Sequence, residues 1–100
     1  MSQRPQAVPT VQVDNDRVRV TEWRFAPGAE TGEHVHRMDY VVVPSGCGRL
    51  KLVSPQGEES FADLKLGVSY FRKAGVHHNV INANDFEYAF VEIELKNRGE

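Results

Sequence analysis

The sequence lacks several features that mark familiar protein classes. Cys47 is its single cysteine, so a disulfide within the chain is impossible. Apolar stretches such as Tyr40–Val43 are too short to span a bilayer, and no basic run suggests a nucleic-acid partner. The first nine residues are polar and carry Pro5 and Pro9, so we expect no secretory signal. Together these absences favour a cytoplasmic protein that binds neither nucleic acid nor membrane.

Sustained helical periodicity is also missing, and short alternating segments take its place. Val18 and Val20 share one face of a predicted strand, and Leu50 and Leu52 share a face of another. Turn residues, including the sequence Ser-Pro-Gln-Gly at 54–57, separate these segments. The pattern predicts an all-β sandwich or barrel, and 100 residues fit a single domain. We divide the chain into an N-terminal arm, residues 1–10, and a β domain, residues 11–96.

Three of the four histidines form a pattern that suits a metal ion. His34 and His36 are two residues apart, so a strand would point both imidazoles to one face. His78 lies on a separate predicted strand, and a closed barrel can bring the two strands together. We therefore predict that His34, His36 and His78 bind one divalent Zn, Fe, Ni, Mn or Cu ion. The alternatives are an exposed histidine pair and a core or turn role for His78; His77 should point outward.

The spacing around these histidines resembles the two motifs of the cupin superfamily. The first motif corresponds to Gly28, five residues, then His34 and His36, with Gly46 closing the segment. The second corresponds, position by position, to Gly67, Lys73, Gly75, His78 and Asn82. Only Lys73 departs from the second motif, where the family usually has proline. The resemblance implies a double-stranded β-helix, the jelly-roll barrel of cupins.

The first motif departs from the family at its glutamate. Counting three residues past His36 reaches Tyr40, whereas counting back six residues from Gly46 reaches Asp39. Strand alternation favours Tyr40 on the inner face, and a bulge near Met38 would turn Asp39 inward instead. Both Tyr40 and Asp39 are therefore candidates for orienting a substrate or transferring a proton.

Longer stretches resemble the small cupins known as β-alanine degradation proteins. They cover residues 17–25, 39–44, 70–76 and 91–95. The resemblance implies a role in the catabolism of a small amino acid or organic acid, but fold alone does not fix a reaction. A metal-dependent enzyme of dioxygenase, isomerase or lyase type, a non-catalytic binding module and a structural cupin with an empty site all remain open.

A ligand and a partner copy are also expected. The ligand would be a small carboxylate held by one cation, and the candidates are Arg24, Arg49, Lys51, Arg72 and Lys73. The polar segment 2–13 contains the apolar residues Val8, Val11 and Val13. Because such a segment can extend the sheet of a second copy, we expect a homodimer.

Overall fold

A computed structural model describes residues 4–96 of the chain, and all of its regular elements are strands. In chain order they are β1 (Val8–Asp14), β2 (Val18–Phe25), β3 (His34–Val35), β4 (Asp39–Pro44), β5 (Gly48–Val53), β6 (Glu59–Leu64), β7 (Tyr70–Arg72), β8 (His77–Asn82) and β9 (Tyr88–Leu95). The all-β prediction is confirmed. Within the described residues no helix is long and apolar enough to cross a membrane.

The strands form two antiparallel sheets. One has five strands in the order β1-β2-β9-β4-β7, and the other has four in the order β3-β8-β5-β6. Strands distant in sequence are neighbours in both sheets, as a double-stranded β-helix requires. The double-stranded β-helix expected from the sequence is therefore confirmed.

The core lies between the two sheets and is built by alternation along each strand. Phe25 from β2 and Phe90 from β9 pack with ring centroids 5.5 Å apart. Tyr40 from β4, Leu50 from β5 and Val80 from β8 are buried against the same cluster. Since one face of every strand turns inward, the apolar residues of both sheets meet in one layer.

A buried asparagine ties the second motif to the rest of the barrel. The Asn82 amide donates to the carbonyl oxygens of Phe25, Ala26 and Phe86 at 3.2, 3.2 and 2.9 Å. Its side chain is fully buried, so these contacts satisfy both N–H groups of an amide that water cannot reach. Asn82 therefore has a structural role. From the end of β8 it is hydrogen-bonded to the end of β2 and to the turn that precedes β9.

The segment that carries His34 and His36 is not the single strand that alternation predicted. β3 belongs to the four-stranded sheet and β4 to the five-stranded sheet, so residues 36–38 cross between the sheets. Backbone hydrogen bonds from His36 to the Val76 carbonyl and from Gly75 to the His36 carbonyl, 2.8 and 2.7 Å long, fix this crossing. Gly75 has a φ of 101°, which a glycine adopts without strain. The turn before β8 thus holds the backbone of His36.

The N-terminal segment joins the β domain before residue 10, where the sequence analysis ended the arm. β1 begins at Val8 and pairs with β2, with an irregularity between Val11 and Val13. Ala7 is already buried in the core. β1 is the outer strand of its sheet, and all of its residues are exposed.

Candidate metal centre and cavity

The three predicted histidines meet inside the barrel. His34 on β3 pairs directly with His78 on β8, and His36 follows in the crossing segment. The Nε2 atoms of His34 and His36 are 3.0 Å apart, and those of His36 and His78 are 3.2 Å apart. The structure thus brings together the imidazoles that the sequence assigned to one metal ion, and metal binding itself stays a prediction.

Hydrogen bonds on the far side of the rings decide which nitrogens carry lone pairs. His34 Nδ1 lies 2.8 Å from the Gly32 carbonyl oxygen. A carbonyl oxygen only accepts, so in the neutral ring the proton is on Nδ1 and the lone pair is on Nε2. The Glu92 carboxylate faces His36 Nδ1 at 3.7 Å and favours the same tautomer there. In these tautomers the Nε2 lone pairs of His34 and His36 face each other across 3.0 Å.

This arrangement fits a first-row metal ion. Nitrogens about 2.1 Å from a shared ion lie about 3.0 to 3.4 Å from one another, depending on the coordination angle. The two measured separations, 3.0 and 3.2 Å, fall in that range. A cation placed among the lone pairs would convert their repulsion into attraction. His34, His36 and His78 are the residues that would hold it.

Glu92 is a residue of the centre that the sequence analysis missed. It lies on β9 behind His36, and its Oε1 accepts a hydrogen bond of 3.3 Å from Trp23 Nε1. Glu94 also comes near, since ligand atoms of His36, Glu92 and Glu94 lie within 4.8 Å of one another. The signal was available in the alternation of β9, because residue 92 shares the inward face of Tyr88 and Phe90.

Burial disfavours the charged forms of His36, His78 and Glu92. Desolvation is the main cause that lowers the pKa of His36 to about 4 and that of His78 to about 3, and neighbouring positive charges add to it. Desolvation also raises the pKa of Glu92 to about 7, although the Trp23 hydrogen bond opposes this. Near neutral pH the rings of His36 and His78 are therefore neutral, as metal ligation requires.

Tyr40 faces the barrel interior, as strand alternation predicted, and its ring lies beside the histidines. Its ring stacks on His36 with centroids 4.0 Å apart and planes inclined by 18°. Burial raises the pKa of its hydroxyl to about 12, so the phenol keeps its proton. Within residues 4–96 the hydroxyl has no hydrogen-bond partner. Tyr40 can therefore donate to a ligand in the cavity.

Asp39 lies outside the barrel, which corrects the idea that a bulge turns it inward. β4 alternates regularly, and Asp39 is exposed while Tyr40 is buried. The Asp39 carboxylate accepts a hydrogen bond of 2.8 Å from the Ala74 backbone, so its contact belongs to a surface turn. His77 also points outward as expected, with Nε2 2.7 Å from a Glu33 carboxylate oxygen.

A small cavity, partly open to solvent, extends from the histidines between the sheets. Its wall is mainly apolar, with Val42, Leu50, Val80 and Phe90 contributing. Tyr40 and Arg72 also line it, and Arg72 is the only lysine or arginine among the described lining residues. A small ligand with one anionic end suits such a wall.

Comparison with known proteins identifies one close curated relative. The chain is 66% identical over 96 residues to the β-alanine degradation protein BauB of Pseudomonas aeruginosa, and the match covers 96% of this chain and 100% of that protein. No family model matches the chain.

Solved structures give the same fold. A cupin domain from Bordetella pertussis is 59% identical, with a TM-score of 0.92, and the match covers 97% of this chain and all of that one. A double-stranded β-helix protein from Klebsiella pneumoniae has a TM-score of 0.75 at 20% identity, covering 100% of this chain and 85% of the other. The second likeness shows the fold alone.

The buried histidines predict an acid-labile metal-free protein. Unfolded histidine takes up a proton near pH 6.5, whereas His36 and His78 do so only near 4 and 3 in the fold. The unfolded state therefore binds more protons between these values, so stability is fully present above pH 6.5 and falls as the pH drops toward 4. Glu92 acts in the opposite direction, because its raised pKa makes the folded state bind a proton as the pH falls through 7, and this offsets about half of the histidine effect. Urea unfolding of chelator-treated protein should therefore show a net loss on the order of 2 kcal/mol between pH 7 and 4.5. A His36→Gln, His78→Gln double variant with the same loss would contradict this account.

Proposed function

Because this chain belongs to the cupin family, together with the β-alanine degradation protein of P. aeruginosa, we propose that it is a metal-dependent enzyme acting on a small amino acid or organic acid in β-alanine catabolism. The relative's name supports the pathway. Metal binding is proposed because the Nε2 atoms of His34, His36 and His78 lie close together. A cytoplasmic location is part of the proposal, since one exposed free cysteine fits a reducing compartment.

In this proposal each group of cavity residues has its own role. A divalent ion would act as a Lewis acid on a carbonyl or carboxyl group of the substrate. The three histidines hold the ion, and Glu92 fixes the ring of His36 from behind. Tyr40 donates a hydrogen bond from its protonated hydroxyl. The apolar wall keeps water away from the reacting group, which strengthens each of these interactions.

A non-catalytic binding module is the second candidate function. It is favoured by the positions of the two residues expected to transfer a proton: Asp39 lies outside the barrel, and Tyr40 holds its proton to a pKa of about 12. Glu92, whose pKa is raised to about 7, is the cavity residue left for proton transfer in the enzyme alternative. The two functions differ in turnover. Incubating metal-loaded protein with β-alanine and small oxo acids, with and without oxygen, and following the mixture by proton NMR separates them.

We expect the protein purified without chelator to contain about one equivalent of a transition metal. His34→Ala and His78→Ala should each remove most of it, because two imidazoles bind a divalent ion far more weakly than three. Elemental analysis by mass spectrometry measures the content.

His77→Ala is the matched control for metal content, since His77 is next to His78 in sequence but points outward to Glu33. It should retain the metal. Less than about a tenth of an equivalent in the unaltered protein, or unchanged content in His34→Ala and His78→Ala, would refute the ligand assignment.

Glu92→Gln should weaken zinc affinity about 10- to 100-fold, as loss of a carboxylate behind a ligating histidine does elsewhere. The amide keeps the shape but no longer favours the Nδ1 proton of His36. Competition with a chromophoric chelator measures the affinity, and nitrogen NMR of the imidazoles reports the tautomer. Glu22→Gln, which alters a surface carboxylate paired with Arg24, is the control. Equal zinc affinities for both variants would show that Glu92 has no part in the site.

A homodimer formed through β1 remains a proposal, supported by the exposed valines of that outer strand. Val11 is 56% exposed, and replacing it by Asp should shift the protein toward monomer in sedimentation experiments at micromolar concentration. Val68, 60% exposed in the turn between β6 and β7, is the matched control, and Val68→Asp should leave the dimer intact. An 11.3 kDa monomer as the only species of the unaltered protein would contradict the proposal.

A further inference from the structure

Arg72 lies on the inner face of the five-stranded sheet, at its outer edge. It pairs directly with Tyr40 across β7 and β4, and Tyr70 pairs with Val42. Residues directly opposite in antiparallel strands share a face, so the Arg72 side chain leaves the sheet on the same side as the Tyr40 ring. β7 is an outer strand, and Arg72 is an exposed residue that also lines the cavity.

The other candidate cations are engaged elsewhere. Arg24 pairs with Glu22 at 3.1 Å, Arg49 with Asp63 at 2.8 Å and Lys51 with Glu59 at 3.1 Å. Lys73 follows β7, is exposed and is not among the residues lining the cavity.

Arg72 itself has no ion pair and no side-chain hydrogen bond with any residue in the range 4–96. Its one ring contact is with Tyr70, where the guanidinium carbon is 5.6 Å from the ring centroid. A cation over an aromatic face is held in place without losing its hydrogen-bond donors. The five N–H groups of Arg72 are therefore available to a ligand.

We propose that Arg72 binds the carboxylate of a compact acid, with the Tyr40 hydroxyl as a second donor, while the other end of the acid faces the three histidines. A planar guanidinium matches a carboxylate with two parallel hydrogen bonds, which a lysine cannot supply. The enclosed part of the cavity is small and the rest is open to solvent, so an acid that fits between Arg72 and the histidines has few heavy atoms. This inference rests on the proposed function and names the ligand's chemical class.

An inward-facing charge on an outer strand can also protect the sheet edge from pairing with other chains. That role would need no ligand. The test must therefore measure ligand binding and aggregation separately.

Trp23 makes the binding measurable without metal or activity. It is the only tryptophan of the chain and lines the same cavity. Propionate, a bare small carboxylate, is titrated into the full-length protein before and after chelator treatment while Trp23 fluorescence is followed. β-Alanine is titrated as a second carboxylate, and 1-propanol serves as the analogue that lacks the carboxylate.

Arg72→Gln should weaken propionate binding at least about tenfold in the chelator-treated protein, because a charge-assisted pair is lost. Arg24→Gln removes the same charge from the surface and should leave the affinity within about twofold of the unaltered protein. If Arg72→Gln aggregates, Arg72→Lys keeps the edge charge and should still bind about threefold more weakly or worse. 1-Propanol should not compete.

Several results would overturn the inference: unchanged propionate affinity in Arg72→Gln, equal binding of 1-propanol, or no saturable carboxylate binding up to about 100 mM. Aggregation of Arg72→Gln with unchanged affinity would assign the residue to edge protection instead. Metal analysis of the same samples separates this inference from the proposed function. Arg72-dependent binding in protein that contains no metal even when purified without chelator would refute the metal proposal alone.

Discussion

The structure depends most on three imidazole nitrogens directed at one point. Lone pairs 3.0 Å apart repel each other, and burial makes protonation of His36 and His78 an unfavourable way to relieve that repulsion. A shared metal cation relieves the repulsion between the lone pairs without adding a proton to a buried imidazole. The chemistry we propose follows from this constraint, because the same cation would polarise a ligand in the adjoining cavity.

Two sheets and one crossing segment produce that convergence. Pairing of His34 with His78 aligns two of the rings across β3 and β8, and the turn at Gly75 holds the backbone of the third. The five-stranded sheet then supports the centre from the other side. Its Tyr40 stacks on His36, and its Glu92 faces the back of the same ring. Each sheet thus supplies a different part of one site.

Much of the fold and the histidine cluster could be predicted from the sequence. The spacing of His34, His36 and His78 relative to glycines fixes them on turns and strands that any barrel of this type brings together. Alternation along the strands also identified Tyr40 as inward-facing. The fold family and the histidine set were predicted from the resemblance of this spacing to the cupin motifs, whereas the inward face of Tyr40 follows from local periodicity, which the barrel preserves.

Features that depend on which strands are neighbours could not be predicted in this way. Alternation within 33–43 does not reveal that residues 36–38 pass from one sheet to the other, so it left Asp39 open as an inward residue. Alternation in β9 turns Glu92 inward, but its place behind His36 depends on β9 lying between β2 and β4, which are far apart in sequence. The choice of Arg72 among five cations likewise needed the ion pairs that engage three of the others.

X-ray absorption spectroscopy at the edge of the metal found in the purified protein tests the central claim most directly. The account predicts a first coordination sphere containing three imidazole nitrogens at about 2.0 to 2.2 Å, with oxygen filling the remaining positions. His36→Ala should reduce the imidazole contribution by one. A sphere containing sulfur from Cys47, or one with no imidazole scattering, would contradict it.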